Sequence, residues 1–233
     1  ALILAATCGH IGIVKFLIAA PGIDINVGSP LSWAAHMGHD AVVALLLDKD
    51  GIDVNALNTD GKTPLMLAVI SKHPAVVKCL IDVDGIDLYV EGTLHRNTAL
   101  HYASSVEIIQ LFIDAGADLN IQNRTGETML ADAAQTGNDA SVALLLSEDS
   151  IDVNPTDNDD MTPLMWAAEY GYVAVVELLI AANGIDVNAT DTEGKTALMT
   201  LLLDKDPTPR QGPYSSTRIA STSMRPIPKA RLL

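Results

Sequence analysis

The stretch from Thr162 to Asn188, TPLMWAAEYGYVAVVELLIAANGIDVN, decides the fold, because most of the chain repeats it with small changes. Its Thr-Pro-Leu opening returns as Ser29-Pro30-Leu31, Thr63-Pro64-Leu65, Thr98-Ala99-Leu100, Thr128-Met129-Leu130 and Thr196-Ala197-Leu198, at spacings of 34, 35, 30, 34 and 34 residues. Its closing Gly-Ile-Asp-Val-Asn returns as Gly22 to Asn26, Gly51 to Asn55, Gly85 to Tyr89, Gly116 to Asn120 and Ser150 to Asn154. Two independent markers sharing one period define a repeat array.

Each part of the unit has a local physical reason. Thr at an N-cap accepts a hydrogen bond from an unpaired first-turn amide, and Pro at the next position lacks an amide that had no partner anyway. A first helix therefore starts at Thr162, and Gly171, like Gly9, Gly38 and Gly137, supplies the left-handed residue that ends it after about two turns. Val173 to Ile180 make a longer, strongly apolar second helix that stops at Asn183-Gly184. The segment from Gly184 to Gly194 has the short extended residues and Asp/Gly turn of a hairpin-like finger. A lone pair of helices this short cannot bury its apolar faces, whereas stacked pairs can, so the expected architecture is an all-α, one-dimensional solenoid.

These residues resemble the ankyrin repeat family, whose pattern is a D-x-x-G finger, a T-P-L-H-x-A-A box, a Gly-His turn, an I-V-x-L-L-L helix and a G-A-D-V-N close. Gly61-Lys62-Thr63-Pro64-Leu65, Gly9-His10, Gly38-His39, Leu45-Leu46-Leu47 and Gly116-Ala117-Asp118-Leu119-Asn120 match it, over Ala1 to about Thr200. Only His101 fills the His place of the box, where Ser32, Met66, Ala131, Met165 and Met199 otherwise stand. An ankyrin domain over 1–206 is expected, with units near 1–28, 29–62, 63–97, 98–127, 128–161, 162–195 and a truncated seventh at 196–206.

Departures from the period carry information. The first unit has only Val27-Gly28-Ser29 in place of a finger, and Pro74 is expected to open the second helix of the third unit. The fourth unit runs from Tyr102 through Ser104-Ser105 straight into its second helix, so its inner helix or turn should be clipped, leaving a hinge or a tolerated deletion. In the seventh unit, Leu201 to Asp206 follow the opening at once, as if the middle were deleted. From Pro207 to Leu233 the chain holds five prolines, five basic residues and no Asp or Glu, and this tail reads as disordered. The chain also starts at an Ala in mid-repeat, which reads as a fragment, and the interrupted seventh unit leaves a read-through or mis-spliced tail as a rival reading.

Composition sets the function classes. Residues 1–206 hold 9 basic against 29 acidic residues, a net of −20, and the tail's +5 brings the chain to −15. An acidic body argues against nucleic acid and favours a protein partner with a basic or apolar surface. Cys8 and Cys79 fall in different units, so no disulfide framework is indicated, and no apolar run approaches the roughly 20 residues of a membrane span. An intracellular, cytoplasmic monomer without a cofactor is expected. His36 and His39 with Cys8 and His10 lack a four-ligand spacing for a metal, and Asp157, Asp159 and Asp160 lack the Gly and Glu of a calcium loop. No phosphate loop, nucleophile elbow or zincin motif is present, so no catalytic residue is assigned.

The resemblance implies a non-catalytic scaffold that binds a protein through a concave groove of finger tips and inner helices. Mapped residue by residue, it nominates Asp60, Lys62, Arg124, Glu127, Asn158, Asp159 and Met161 on the fingers, and His36, Met37, Glu169 and Tyr170 on the inner helices. Aromatic and Met side chains dominate interface energetics, which singles out Met161, Glu169 and Tyr170, then His36 and Met37. Trp33, Tyr102 and Trp166 share one register on the first helix, where packing between repeats is weighed against facing the groove. An alternative is the docking or autoinhibitory segment of a larger enzyme, of kinase or ubiquitin-ligase type. A narrower possibility is that the basic tail folds back on the acidic body and competes with the partner.

Overall fold

The computed structural model describes residues 1–203; the disordered-tail expectation for 207–233 lies outside the described residues. Helices pair in sequence: α1 (Leu2–Thr7) with α2 (Ile11–Ile18), α3 (Pro30–Met37) with α4 (Asp40–Leu47), and α5 (Pro64–Ile70) with α6 (Pro74–Ile81). The fourth unit has a 3-10 turn at Leu100–Tyr102 before α7 (Val106–Asp114), and α8 (Met129–Gln135) with α9 (Asp139–Leu146), α10 (Pro163–Glu169) with α11 (Val173–Ile180), and α12 (Ala197–Leu203) complete the order. First helices stack on first helices and second on second, so two helical layers enclose one continuous core. No strand occurs among the described residues, so the fingers are turns without sheet. The second helices, 8 or 9 residues long, are barely longer than the first.

The opening Thr works as its chemistry requires. The Oγ1 of Thr63, Thr128, Thr162 and Thr196 accepts from the amides of Met66, Ala131, Met165 and Met199 at 3.1 to 3.3 Å. Pro74 stands at the first position of α6. In the fourth unit the 30-residue spacing leaves three residues of 3-10 turn where the other units form an α-helix. His101 holds that remnant: the Thr98 amide donates to its Nδ1 at 3.2 Å, which puts the proton on Nε2, and Nε2 donates to the Glu127 carbonyl, at the boundary with the next unit, at 3.1 Å.

The inner-helix turn is a second stacking device. Gly38 has φ +74°, and a Cβ there would come within 2.7 Å of the His73 ring. That ring covers the glycine because its Nε2 donates to the His36 carbonyl at 3.1 Å, just as His39 Nε2 reaches the Thr7 carbonyl at 3.0 Å over Gly9. Asn138 repeats the bond to Ser104 at 2.7 Å, and the Tyr172 ring covers Gly137. Lys72 alone puts a side chain at this position with φ +58°, and there the next unit is clipped and offers Ser105 instead of a ring.

The closing signature is a third. Asn26, Asn55, Asn120 and Asn154 each donate from Nδ2 to the carbonyl of Gly51, Gly85, Ser150 or Gly184 at 2.8 Å. The Oδ1 of the same four accepts from the amides of Asp53, Asp87, Asp152 and Asp186 at 2.8 to 3.0 Å. One side chain thus satisfies a donor and an acceptor on the following unit. Tyr89 replaces Asn in the third unit and keeps half of this pair, its hydroxyl accepting from the Asp118 amide at 2.8 Å.

Candidate functional site: the finger and inner-helix groove

Each full finger is built by its first residue. Asn58 Oδ1 accepts from the amides of Asp60 and Lys62, Asn123 Oδ1 from those of Thr125 and Glu127, Asp157 Oδ1 from those of Asp159 and Met161, and Asp191 Oδ1 from those of Glu193 and Lys195, all at 2.8 to 3.0 Å. Neighbouring fingers are joined by one backbone bond each, such as Asn158 amide to Thr125 carbonyl at 2.9 Å and Thr192 amide to Asp159 carbonyl at 3.1 Å. The atypical finger before the fourth unit places His95 and Arg96 at positive φ and ties the Arg96 guanidinium to Glu91.

The nominated residues divide by burial. Asp60, Arg124, Asn158 and Asp159 are exposed at the finger tips, Met37 is exposed, and Lys62, His36, Glu169 and Tyr170 are half-buried. Met161 and Glu127 are different: each is 8 % exposed, so neither offers surface to a partner. Met161 lies in the core as the residue that leads the finger into α10, and Glu127 turns inward because its Oε2 accepts from Asn123 Nδ2 at 2.9 Å and Thr125 Oγ1 at 2.8 Å. His36 is held from both sides, its Nδ1 with Ser71 Oγ at 2.8 Å and its carbonyl with His73, and burial followed by the charge of His73 lowers its pKa.

Trp33, Tyr102 and Trp166 are all half-buried, so neither full packing between repeats nor full exposure describes them. Trp166 Nε1 donates to Asp157 Oδ2 at 3.0 Å, so one carboxylate organises a finger with one oxygen and orients an inner-helix indole with the other. The indole stacks on Tyr170 with centroids 5.9 Å apart and planes 9° from parallel, and Tyr170 meets Tyr172 at 6.1 Å and 35°. Three aromatic rings thus run from the finger along α10 to the turn that follows it.

Sequence reasoning missed Asp132. It occupies on α8 the register that Trp33, Tyr102 and Trp166 occupy on their own units, four residues after the opening Thr, and that substitution is visible once the units are aligned. It is only partly exposed, and no hydrogen bond or ion pair of its carboxyl exists among the described residues. Burial first, and the Glu127 charge second, push its pKa well above the ordinary carboxylate value. Its charge in turn adds to the burial that raises the Tyr102 hydroxyl.

The stacked helix pairs, the turn rings and the Asn ladder define a helical repeat solenoid, the class of protein that offers an extended concave surface rather than an enclosed pocket. The family model for ankyrin repeats (3 copies) matches residues 1–58, 31–123, 100–191 and 158–202, and the chain belongs to the ankyrin repeat family. Among solved structures it is similar to the ankyrin repeat domain of Bcl-3, described as a unique member of the IkappaB protein family, at TM-score 0.77 and 26 % identity over 85 % of this chain and 92 % of that one. The human ASB11 ankyrin repeat domain gives TM-score 0.72 and 27 % identity over 94 % and 95 % of the two chains. Palmitoyltransferase ZDHHC13 of Homo sapiens and of Pongo abelii is 32 % identical over 97 residues, 40 % of this chain. That match spans 16 % of the length of these relatives. Ankyrin repeats are protein-interaction modules, and no helix among the described residues is long and apolar enough to cross a membrane.

Proposed function

We propose that the chain binds a protein partner in the groove between its finger tips and inner helices, centred on the fifth and sixth units. The observation that supports this reading is the half-exposed Trp166–Tyr170–Tyr172 stack, anchored by Asp157 and flanked by the exposed Asn158 and Asp159. Pre-ordered aromatics beside polar fingers supply contact area at low entropic cost, as binding hot spots do. Met37 and the half-buried His36 form a second patch towards the first units, with Asp60, Lys62 and Arg124 on the fingers between. The surface is acidic, and the partner segment it suits is basic or apolar. Cross-linked complexes identified by mass spectrometry test this. Tyr170→Ala with Met37→Ala should lose a defined set of partners that Lys78→Ala, on α6, retains, at unchanged far-UV circular dichroism and melting. Equal retention by both variants overturns the groove.

A second reading is supported by the palmitoyltransferase relatives, in which a matching segment forms a small part of an enzyme. In that arrangement the groove docks a substrate or regulator for a catalytic domain elsewhere in the protein. Long-read sequencing of the transcript across both ends separates an adaptor from such a segment.

A further inference from the structure

The turn that follows α11 carries a reactive pair found in no other unit. Asn183 is the only asparagine of the chain followed by glycine, and both residues are exposed. The Ile185 amide meets the Ala182 carbonyl at 3.5 Å, which places Asn183 and Gly184 at the two central positions of a turn, with Gly184 at φ +81°. Among the described residues the Gly184 amide and the Asn183 carboxamide make no hydrogen bond. The ladder residues Asn26, Asn55, Asn120 and Asn154 are instead pinned at both ends of their carboxamides, and a residue with a Cβ follows each. At Gly184 even an added Cβ would meet nothing within 4 Å. A free amide nitrogen thus stands next to a free side-chain carbonyl, with open space around both.

We infer that Asn183 is a site of spontaneous modification, converting through a succinimide to isoaspartate, and that isoaspartate there unlatches the sixth unit from the fifth. The Gly184 nitrogen gives up its proton to base and attacks the Asn183 side-chain carbonyl carbon. A C–N bond forms, and the side-chain nitrogen leaves as ammonia. Glycine favours the attack because no Cβ screens its nitrogen. Water then opens the five-membered ring: at the side-chain carbonyl it yields aspartate, and at the main-chain carbonyl it yields isoaspartate, whose backbone runs through the side chain. The balance is one water in and one ammonia out, with no change of oxidation state.

The two products act differently on the fold. Asp50 and Asp84 stand before Gly51 and Gly85 in the second and third units, so this turn already accommodates aspartate. Isoaspartate adds one carbon to the main chain, about 1.5 Å of contour, immediately before Gly184. The Gly184 carbonyl and the Asp186 amide are both held by the Asn154 carboxamide at 2.8 Å. N–H···O distances range over only about 0.5 Å, so the insertion breaks this pair.

The test holds the full chain in mildly alkaline buffer and maps it by peptide mass spectrometry, with isoaspartate distinguished by its resistance to endoproteinase Asp-N. Asn183 should convert ahead of every other asparagine. The isoaspartate fraction should melt roughly 2 to 8 °C below the unmodified chain, having lost a donor and an acceptor between units, and should exchange the Asp186 amide hydrogen faster. Asn183→Asp should melt like the unmodified chain, and Asn183→Gln should keep its melting temperature on ageing. Asn183 that stays intact in the folded chain, while the urea-unfolded chain converts it, overturns the proposal. So does an isoaspartate fraction that melts together with Asn183→Asp.

Discussion

Replacing Gly38 with Ala puts a methyl group where the fold has placed the ring of the next unit. Two costs arise. A Cβ in the left-handed region costs about 1 to 2 kcal/mol, offset by about 0.4 to 1 kcal/mol from the stiffer unfolded chain, a net of about 1 kcal/mol. The methyl would also sit 2.7 Å from His73 Cε1 and Nδ1, so the ring must leave and its bond to the half-buried His36 carbonyl goes with it. That adds about 1 to 2 kcal/mol, for a total of about 2 to 3 kcal/mol. Lys72 supplies an internal control, because it already holds a Cβ at φ +58° in the neighbouring turn. Lys72→Gly should therefore stabilise by up to about 1 kcal/mol, and Lys72→Ala should change little. Urea unfolding followed by far-UV circular dichroism reads all three. His73→Ala combined with Gly38→Ala should recover part of the loss, since the clash then has no second partner. A Gly38→Ala loss of about 1 kcal/mol or less, or one that His73→Ala does not reduce, would refute the steric account and leave only backbone strain.

Three further substitutions probe the same packing. Asp132→Asn should stabilise the fold at pH 7 by about 1 to 2 kcal/mol, or roughly 2 to 8 °C in melting temperature. The native carboxyl holds its proton more tightly than the unfolded one, so its penalty is absent below the unfolded pKa near 3.9 and grows as pH rises through the raised native value. The gain should fade towards pH 4, and a pH-independent gain would contradict it; the lowered pKa of His101 is common to both proteins and cancels. Asn55→Ala should cost about 1 to 2 kcal/mol by removing a donor and an acceptor between the second and third units. Tyr89→Phe, which removes the single bond to Asp118, should cost about half as much in the same thermal melt.

The sequence shows the fold almost in full, because periodicity, capping Thr and turn Gly are local signals that need no knowledge of neighbours. The 30-residue spacing of the fourth unit also shows where a helix is missing. The hairpin-like finger is closed by a side-chain-built turn together with a backbone bond between its first and fifth residues, as from the Asp157 amide to the Met161 carbonyl, and no strand forms among the described residues. Asx turns and strand pairs use the same Asn, Asp and Gly, so composition cannot separate them. The site is less legible. Met161 and Glu127 stand at the last finger position, and their burial is set by which way that residue turns, through bonds to Asn123 and Thr125 in one case. Asp132 is a register anomaly in the aligned units, but a lone acidic residue on a short helix reads as solvated.

The clipped fourth unit divides the array into two unequal cooperative blocks. In a chain of nearest-neighbour couplings, the loss of one inner helix weakens the two couplings on either side of it and leaves the rest intact. The domain then behaves like a line of magnets with one weak joint, the fourth unit itself, so that the three units before it and those after it are expected to melt as separate segments. Tyr89 fastens the third unit to the fourth through the Asp118 amide, and His101 fastens the remnant to the Glu127 carbonyl at the boundary with the fifth. Tension applied along the solenoid concentrates at the joint, so the array extends there first while the aromatic end of the groove stays assembled.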